Sequence, residues 1–427
     1  MKRIATALVV LSLLTVVPGI VPRTVSAGPA ADAIAALELE VAQNNSDIAT
    51  LRAQVAELEA RPWPSPTASP LSSGTPLPTV SPSFTASPTA SPSPTAPAPS
   101  SIAPTSTPFI TPTPSIGPSP TASSGTSVPA SIDATGATDV SAALNTWIAS
   151  VPDGSTVLFK AGGTYRLSQG IQIAGRHNLT FEGNGATLRT TGSGSDQLAS
   201  LFVIGHRYGG AWAGGNSNIV VRDFVLVGND PTPGTFGGGE AQAGMEIEGV
   251  SGLEVANVTV QAVYGDGFKV GDASTNVVIH DVHVQTAGRN GVSVIYGSRV
   301  TVRDSAFDRV GYVTFDVEPN TSTQPSSGLL FTANTAGTWG AEFFALDGSH
   351  TGASINDVTV SGNRVTGAGL LTFVDNGNTG RNRNITFTDN QGATAARLTF
   401  RHVDGLVIGG NSPATYSIDD CTQVVGP

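Results

Sequence analysis

Residues 130–427 of the sequence predict an all-β fold, a right-handed parallel β-helix, and three observations carry that reading. Short runs rich in Val, Ile, Leu and Phe recur between Gly, Asn and Asp, as in "NIVVRDFVLVGND", "GLEVANVTVQ", "NVVIHDVHVQ" and "RVTVRDSAFD". The runs keep a common spacing: Val255, Ile279 and Val302 are 24 and 23 residues apart, with Asn257, Asp281, Asp304 and Val260, Val284, Phe307 at the same offsets. A second strand repeats in phase at Met245, Phe268, Val292 and Phe315. Units of this length cannot bury their own apolar faces and stack into a solenoid; a two-sheet sandwich would not require equal spacing. The third observation is a single amphipathic helix ahead of all the strands.

Taken in order, the chain opens with "MKR", the apolar run "ATALVVLSLL" and the small-residue site Val25-Ser26-Ala27, the pattern of an export signal over 1–27. A membrane span needs about 20 apolar residues, and Pro18 interrupts too early, so no transmembrane segment is expected after cleavage. Residues 30–61 read as a helix with a heptad seam: Ile34, Leu37, Val41, Asn44, Ile48, Leu51, Val55 and Leu58. β-Branched residues at the first seam position favour a parallel two-stranded coiled coil, so a homo-oligomer through 34–58 is expected, with packing on the chain's own globular part as the alternative.

Residues 62–129 are dominated by Pro, Ser, Thr and Ala and lack the apolar side chains that offset chain entropy; they read as a disordered linker, open to O-glycosylation. At roughly 3 Å per residue it reaches on the order of 100 to 200 Å. Next come Val140, Leu144, Trp147, Ile148 and Val151 at helical spacing, with Thr138 or Asp139 as cap and Gly154 as stop. This helix is expected to cover the open N-terminal end of the solenoid, where a bare strand edge would otherwise stand.

The quoted stretches "GSTVLFKAGGTYRLSQGIQI" and "LTFEGNGATLR" resemble the N-terminal module of the pectate-lyase-like superfamily of right-handed β-helices, and "GRNGVSV" with "VTFDVEPN" is similar to secreted bacterial β-helix repeat proteins. The resemblance runs from about Ile132 to Asn411. It implies a secreted or cell-surface protein acting on polysaccharides, often acidic ones. The Asn-Thr-Asp, Asp-Asp and Gly-His-Gly pattern of polygalacturonases is absent, and "YGDGFKVGD" is only loosely similar to the acidic motif of alginate epimerases.

If Met245, Phe268, Val292 and Phe315 point inward, their successors Glu246, Lys269, Ser293 and Asp316 form one outer row, ~5 Å from coil to coil. Two residues on stand Glu248, Gly271, Ile295 and Glu318. Asp316 and Glu318, roughly 7 Å apart on one face, fall in the range of carboxyl pairs that hydrolyse glycosidic bonds. Arg289 in the corner Gly288–Gly291 and Asp266 one coil below join the candidate catalytic set of Asp316, Glu318, Lys269, Arg289 and Asp266. Glu246, Glu248 and Ser293 complete the wall as candidate substrate contacts. Insertions at 205–216, 231–244 and after Pro319 to about Ser354 raise loops beside it, and Tyr208, Trp212 and Trp339 are candidate stacking surfaces for sugars. The bland alternative is a solvated charged ladder of little energetic weight.

Two chemistries suit the set. One acid of the pair protonates a leaving oxygen while the other activates water or attacks; or Lys269 and Arg289 neutralise a uronate carboxylate while a base takes the C5 proton, as in lyases and epimerases. The alternative function is a non-catalytic, stalked carbohydrate-binding or adhesin module. The domain's 16 Lys plus Arg against 26 Asp plus Glu exclude a basic nucleic-acid surface. No cofactor motif is present, and Ca2+ has none to support it. His280 and His283 are expected on opposite faces of one strand and make no metal set. The lone Cys421 has no intrachain partner.

Overall fold

The computed structural model describes residues 125–192, 200–205, 215–237, 241–348, 351–377 and 380–426. The expected export signal, coiled coil and nearly all of the linker lie outside them, as do Tyr208 and Trp212. Strand pairing is parallel throughout, and each coil contributes strands to successive ladders, the stacking of a right-handed parallel β-helix. The register is the one read from the spacing. Val255 pairs with Ile279 and Ile279 with Val302; Val260 pairs with Val284 and Val284 with Phe307. Phe268 pairs with Met245 on one side and Val292 on the other, and Val292 with Phe315. All these side chains are buried in one continuous core.

The corners follow from residue chemistry. Asn257, Asp281 and Asp304 have φ of 50°, 52° and 51°, the left-handed conformation that short polar side chains tolerate best. In later coils a buried asparagine takes over one corner. The Nδ2 groups of Asn334, Asn363, Asn390 and Asn411 each donate to a strand carbonyl, and the Oδ1 atoms of Asn363, Asn390 and Asn411 each accept a backbone N–H of the coil before. Such pairing is what burial of a polar corner demands.

The helix spans Ser141–Ser150 and buries Leu144 and Ile148 against the first coil. Val140, not Thr138 or Asp139, holds the N-cap position, although the Asp139 carboxylate still accepts the Ser141 N–H at 2.9 Å. Asn145 joins helix to sheet, donating to the Gly170 carbonyl at 3.0 Å and accepting from the Gln172 N–H at 2.8 Å. The solenoid also takes in Thr126–Ser127, which pairs with Thr156–Leu158 ahead of the boundary expected at 130.

Two expectations are corrected. The stretch after Pro319 is not one long insertion: Ser326–Thr332, Thr335–Trp339 and Phe344–Asp347 form a complete coil, with Phe331 pairing Val302 and Phe344 pairing Phe315. Its 29-residue step replaces the earlier 23 or 24, which hid it from a fixed-period reading. His280 and His283 do not alternate along one strand either, because the Asp281 corner falls between them. His280 contacts Glu254 and Asp281, and His283 contacts Asp308. Among the described residues no helix is long and apolar enough to cross a membrane, and no cluster of three metal-binding side chains occurs. Cys421 is a free thiol packed half-buried against the last coil.

Candidate functional site

Pairing on one sheet runs Val203–Glu246–Lys269–Ser293–Asp316–Ala345 across successive coils, so the outer row is as the alternation predicts. Its exposure is not. Glu246, Ser293 and Asp316 are 3%, 0% and 4% exposed. The wall is recessed because corner residues and loops stand over it, so the picture of solvent-facing acids is replaced by one of buried, bonded acids.

The corner preceding each strand supplies the cover. Asn290, fully buried, donates from Nδ2 to Asp316 Oδ2 at 2.8 Å and to Ser293 Oγ at 3.0 Å, while its Oδ1 accepts the Val313 N–H. Asp266 accepts from the Asn290 N–H at 3.1 Å and from Ser293 Oγ at 2.7 Å. Arg289 lies over these groups, 3.3 Å from Asp266 and in a short ion pair with Glu318. Asp266, Arg289, Ser293, Asp316 and Glu318 are therefore one network. Both oxygens of Asp266 are occupied in holding the Gly288–Gly291 corner, a positioning arrangement.

A second group lies two coils away. Lys269 Nζ is 3.2 Å from Glu248, and Ser200 Oγ donates to Glu246 at 2.9 Å. The Glu248 carboxylate folds over Gly271, where a Cβ would lie 2.2 Å from Oε2, so a larger residue there would displace the carboxylate. Trp339 is half-buried against the core, its ring 5.9 Å from Phe343.

The open space beside the network is a cleft of about 460 Å³ lined by Tyr312, Asp316, Glu318, Glu342, Asp347 and Phe373, among others. Tyr312, 40% exposed, sits one coil beyond Arg289, its N–H donating to the Arg289 carbonyl. Phe236 leans on it with ring centroids 5.3 Å apart. The loop bearing Phe236 can approach because position 311 is glycine; a Cβ there would lie 2.6 Å from the Phe236 nitrogen and 2.0 Å from the Gly288 carbonyl oxygen. Sequence reasoning did not find Asn290, Tyr312, Glu342 or Phe236. The register could have found two of them. Backbone bonds place Asp266, Asn290, Val313 and Glu342 at one position on successive coils, two residues before the paired strand residues.

Electrostatics divide the acids. Burial, then the neighbouring Glu318 charge, push the Asp316 carboxyl well above the usual range, with Arg289 opposing. Burial works against the Arg289 charge, but Asp266 and Glu318 outweigh it and hold the guanidinium protonated. Burial raises Glu342 as well. In the second group burial pushes Glu248 up to about 7 although Lys269 pulls the other way. The ionised form of Glu248 therefore opposes folding: its contribution is intact below about pH 4.5 and is lost as pH rises through about 7. Replacing Glu248 with Gln should flatten this part of the stability profile by about 3 kcal/mol between pH 4.5 and 8, with Glu246 left to face Lys269. Urea midpoints measured across that range check it, and a profile identical to the parent's contradicts it.

The family comparison agrees with the architecture. Residues 129–341 match the family model described as rhamnogalacturonase A/epimerase, pectate lyase-like. No curated protein matches the chain. Similar solved structures include the family 28 exopolygalacturonase of Yersinia enterocolitica, at 14% identity over 68% of this chain and 76% of that one, TM-score 0.46. The endo-xylogalacturonan hydrolase of Aspergillus tubingensis is similar at 15% identity over 70% and 95%, TM-score 0.45. The surface adhesin PfbA of Streptococcus pneumoniae is similar at 14% identity over 68% and 91%, TM-score 0.42. With its coils in the predicted register and the family match spanning those that carry Asp266, Arg289, Asp316 and Glu318, residues 129–341 belong to the pectate lyase-like superfamily of right-handed parallel β-helix proteins.

Proposed function

We propose that this protein hydrolyses a polysaccharide, with Asp316 as general acid and Glu318 as the group that activates water. The observation that carries the reading is the unequal pair on one strand: a buried Asp316 held on the protonated side, and a Glu318 carboxylate paired with Arg289. Environments that push two carboxyls apart are what acid and base roles require. Asp316 gives its proton to the glycosidic oxygen as the bond between that oxygen and the anomeric carbon breaks and the leaving sugar departs as an alcohol; water bonds to the anomeric carbon in its place, and the water's proton passes to Glu318. Tyr312, at the cleft, offers an aromatic face for a sugar ring beside the pair, with Phe236 tilted against it. The family description, with its rhamnogalacturonase, supports a carbohydrate substrate.

A lyase or epimerase course through Lys269 or Arg289 is less well supported, since both cations are engaged by protein carboxylates. On this reading the chain is exported through 1–27 and copies join through 34–58. Glu246, Glu248 and Ser293 belong to the same wall, and Tyr208, Trp212 and Trp339 are proposed as stacking surfaces for sugars.

Incubating the purified protein with a polysaccharide panel tests the proposal. New reducing ends without ultraviolet-absorbing unsaturated products are expected. Unsaturated ends would make it a lyase, and saturable binding without any cleavage would make it a stalked adhesin-type module.

A further inference from the structure

The resemblance to pectin-type proteins implies acidic glycans, but the cleft points the other way. We infer that the sugar units held there carry no carboxylate, so the site takes a neutral glycan and discriminates against polyuronates. The inference rests on the reading that the cleft binds a glycan, and not on hydrolysis. Among the described residues every charged side chain lining the cleft is acidic: Asp316, Glu318, Glu342 and Asp347. Recognition of a uronate needs a cation turned toward its carboxylate, through a charge-assisted pair. The cation nearest this wall, Arg289, is engaged by Asp266 and Glu318, its side chain 10% exposed. Lys269 lies two coils away, roughly 10 Å along the sheet, and is turned onto Glu248 at 3.2 Å. Among the described residues no cation lies within ion-pair distance of Glu342, which is half-buried at the cleft's edge.

The Tyr312 phenol, between the aromatic face and these acids, reports the same field: burial pushes its pKa up, and Glu342 and Asp316 push it further, with Arg289 too weak to reverse them. A second carboxylate brought into such a partly dehydrated space meets the carboxylates of Glu318 and Asp347, like charge that water screens poorly, while the protonated Asp316 supplies no cation to offset it. The tilted pair Tyr312 and Phe236, by contrast, recognises the C–H face of a sugar whatever its charge.

The full chain should be applied to an array that pairs oligogalacturonates with the same oligomers after reduction of each carboxyl to CH2OH, alongside neutral glucan, xylan and galactan fragments. At least one neutral glycan is expected to bind. Its carboxylated counterpart should bind at least about 10-fold more weakly at low salt. That gap should narrow as salt is raised and in Glu342→Gln. Oligogalacturonates bound as tightly as their reduced partners, or no neutral glycan bound at all, would overturn the inference. The two readings fail separately. Neutral glycans bound but never cleaved remove the hydrolase and leave the preference, whereas cleavage of a polyuronate removes the preference and leaves the hydrolase.

Discussion

Asp316→Asn should lower turnover on the protein's polysaccharide substrate by about 100-fold or more while the chain stays folded. The amide oxygen can still accept the Asn290 Nδ2 bond, now 2.8 Å long at Asp316 Oδ2, so the buried donor keeps its partner. What disappears is the transferable proton. Because the Asp316 pKa is raised in the fold, its ionised form opposes folding, and stability is lost as pH climbs through that raised value. The asparagine variant should therefore be no less stable than the parent at neutral pH and should lose the high-pH limb of the activity profile. Asp304→Asn is the comparison: Asp304 sits at a corner with φ of 51°, which asparagine adopts as readily, and its turnover should stay within about 2-fold. If Asp316→Asn is folded by far-UV circular dichroism and keeps full turnover, Asp316 is not the acid.

Phe315→Asp should leave the domain unfolded at 25 °C. Phe315 is fully buried, with ring centroids 5.0 Å from Phe307, 5.0 Å from Phe331 and 5.5 Å from Phe343, so rings of two successive coils meet at one side chain. Losing the ring costs about 3–5 kcal/mol through the cavity alone. An unpaired carboxylate in that space adds several more, against a typical total of about 5–15 kcal/mol. Phe315→Leu keeps most of the volume and should cost only about 1–1.5 kcal/mol. Circular dichroism and urea unfolding of the pair check this, and a folded Phe315→Asp with a parent-like midpoint would show that the core does not depend on this contact.

The fold was legible because a solenoid writes its register into the chain. Each coil must present one apolar residue at the same place, so Phe268, Val292 and Phe315 announce both spacing and direction. Where a coil lengthens to 29 residues the arithmetic loses its footing, and Trp339, assigned to a loop, proves to be part of a strand. The site was half legible. Alternation placed Asp316, Glu318, Lys269 and Glu246 on one outer wall, since side-chain direction in a strand is a local property. Whether that wall is wet or buried is not local. It depends on the Asn290 and Arg289 corner lying over Ser293 and Asp316, and on a loop brought to Tyr312 by the bare backbone at Gly311.

The sequence alone therefore determined the β-helix, its register and the identity of the carboxylate row, because each follows from periodic burial along a single chain. Only the tertiary structure decided that Asp316 is buried beside an Arg-paired Glu318, that Lys269 is turned onto Glu248, and that among the described residues the charged side chains lining the cleft are acids. Those facts depend on how far water is excluded and which charges meet across coils. Both are set by side chains far apart in the chain and close in space.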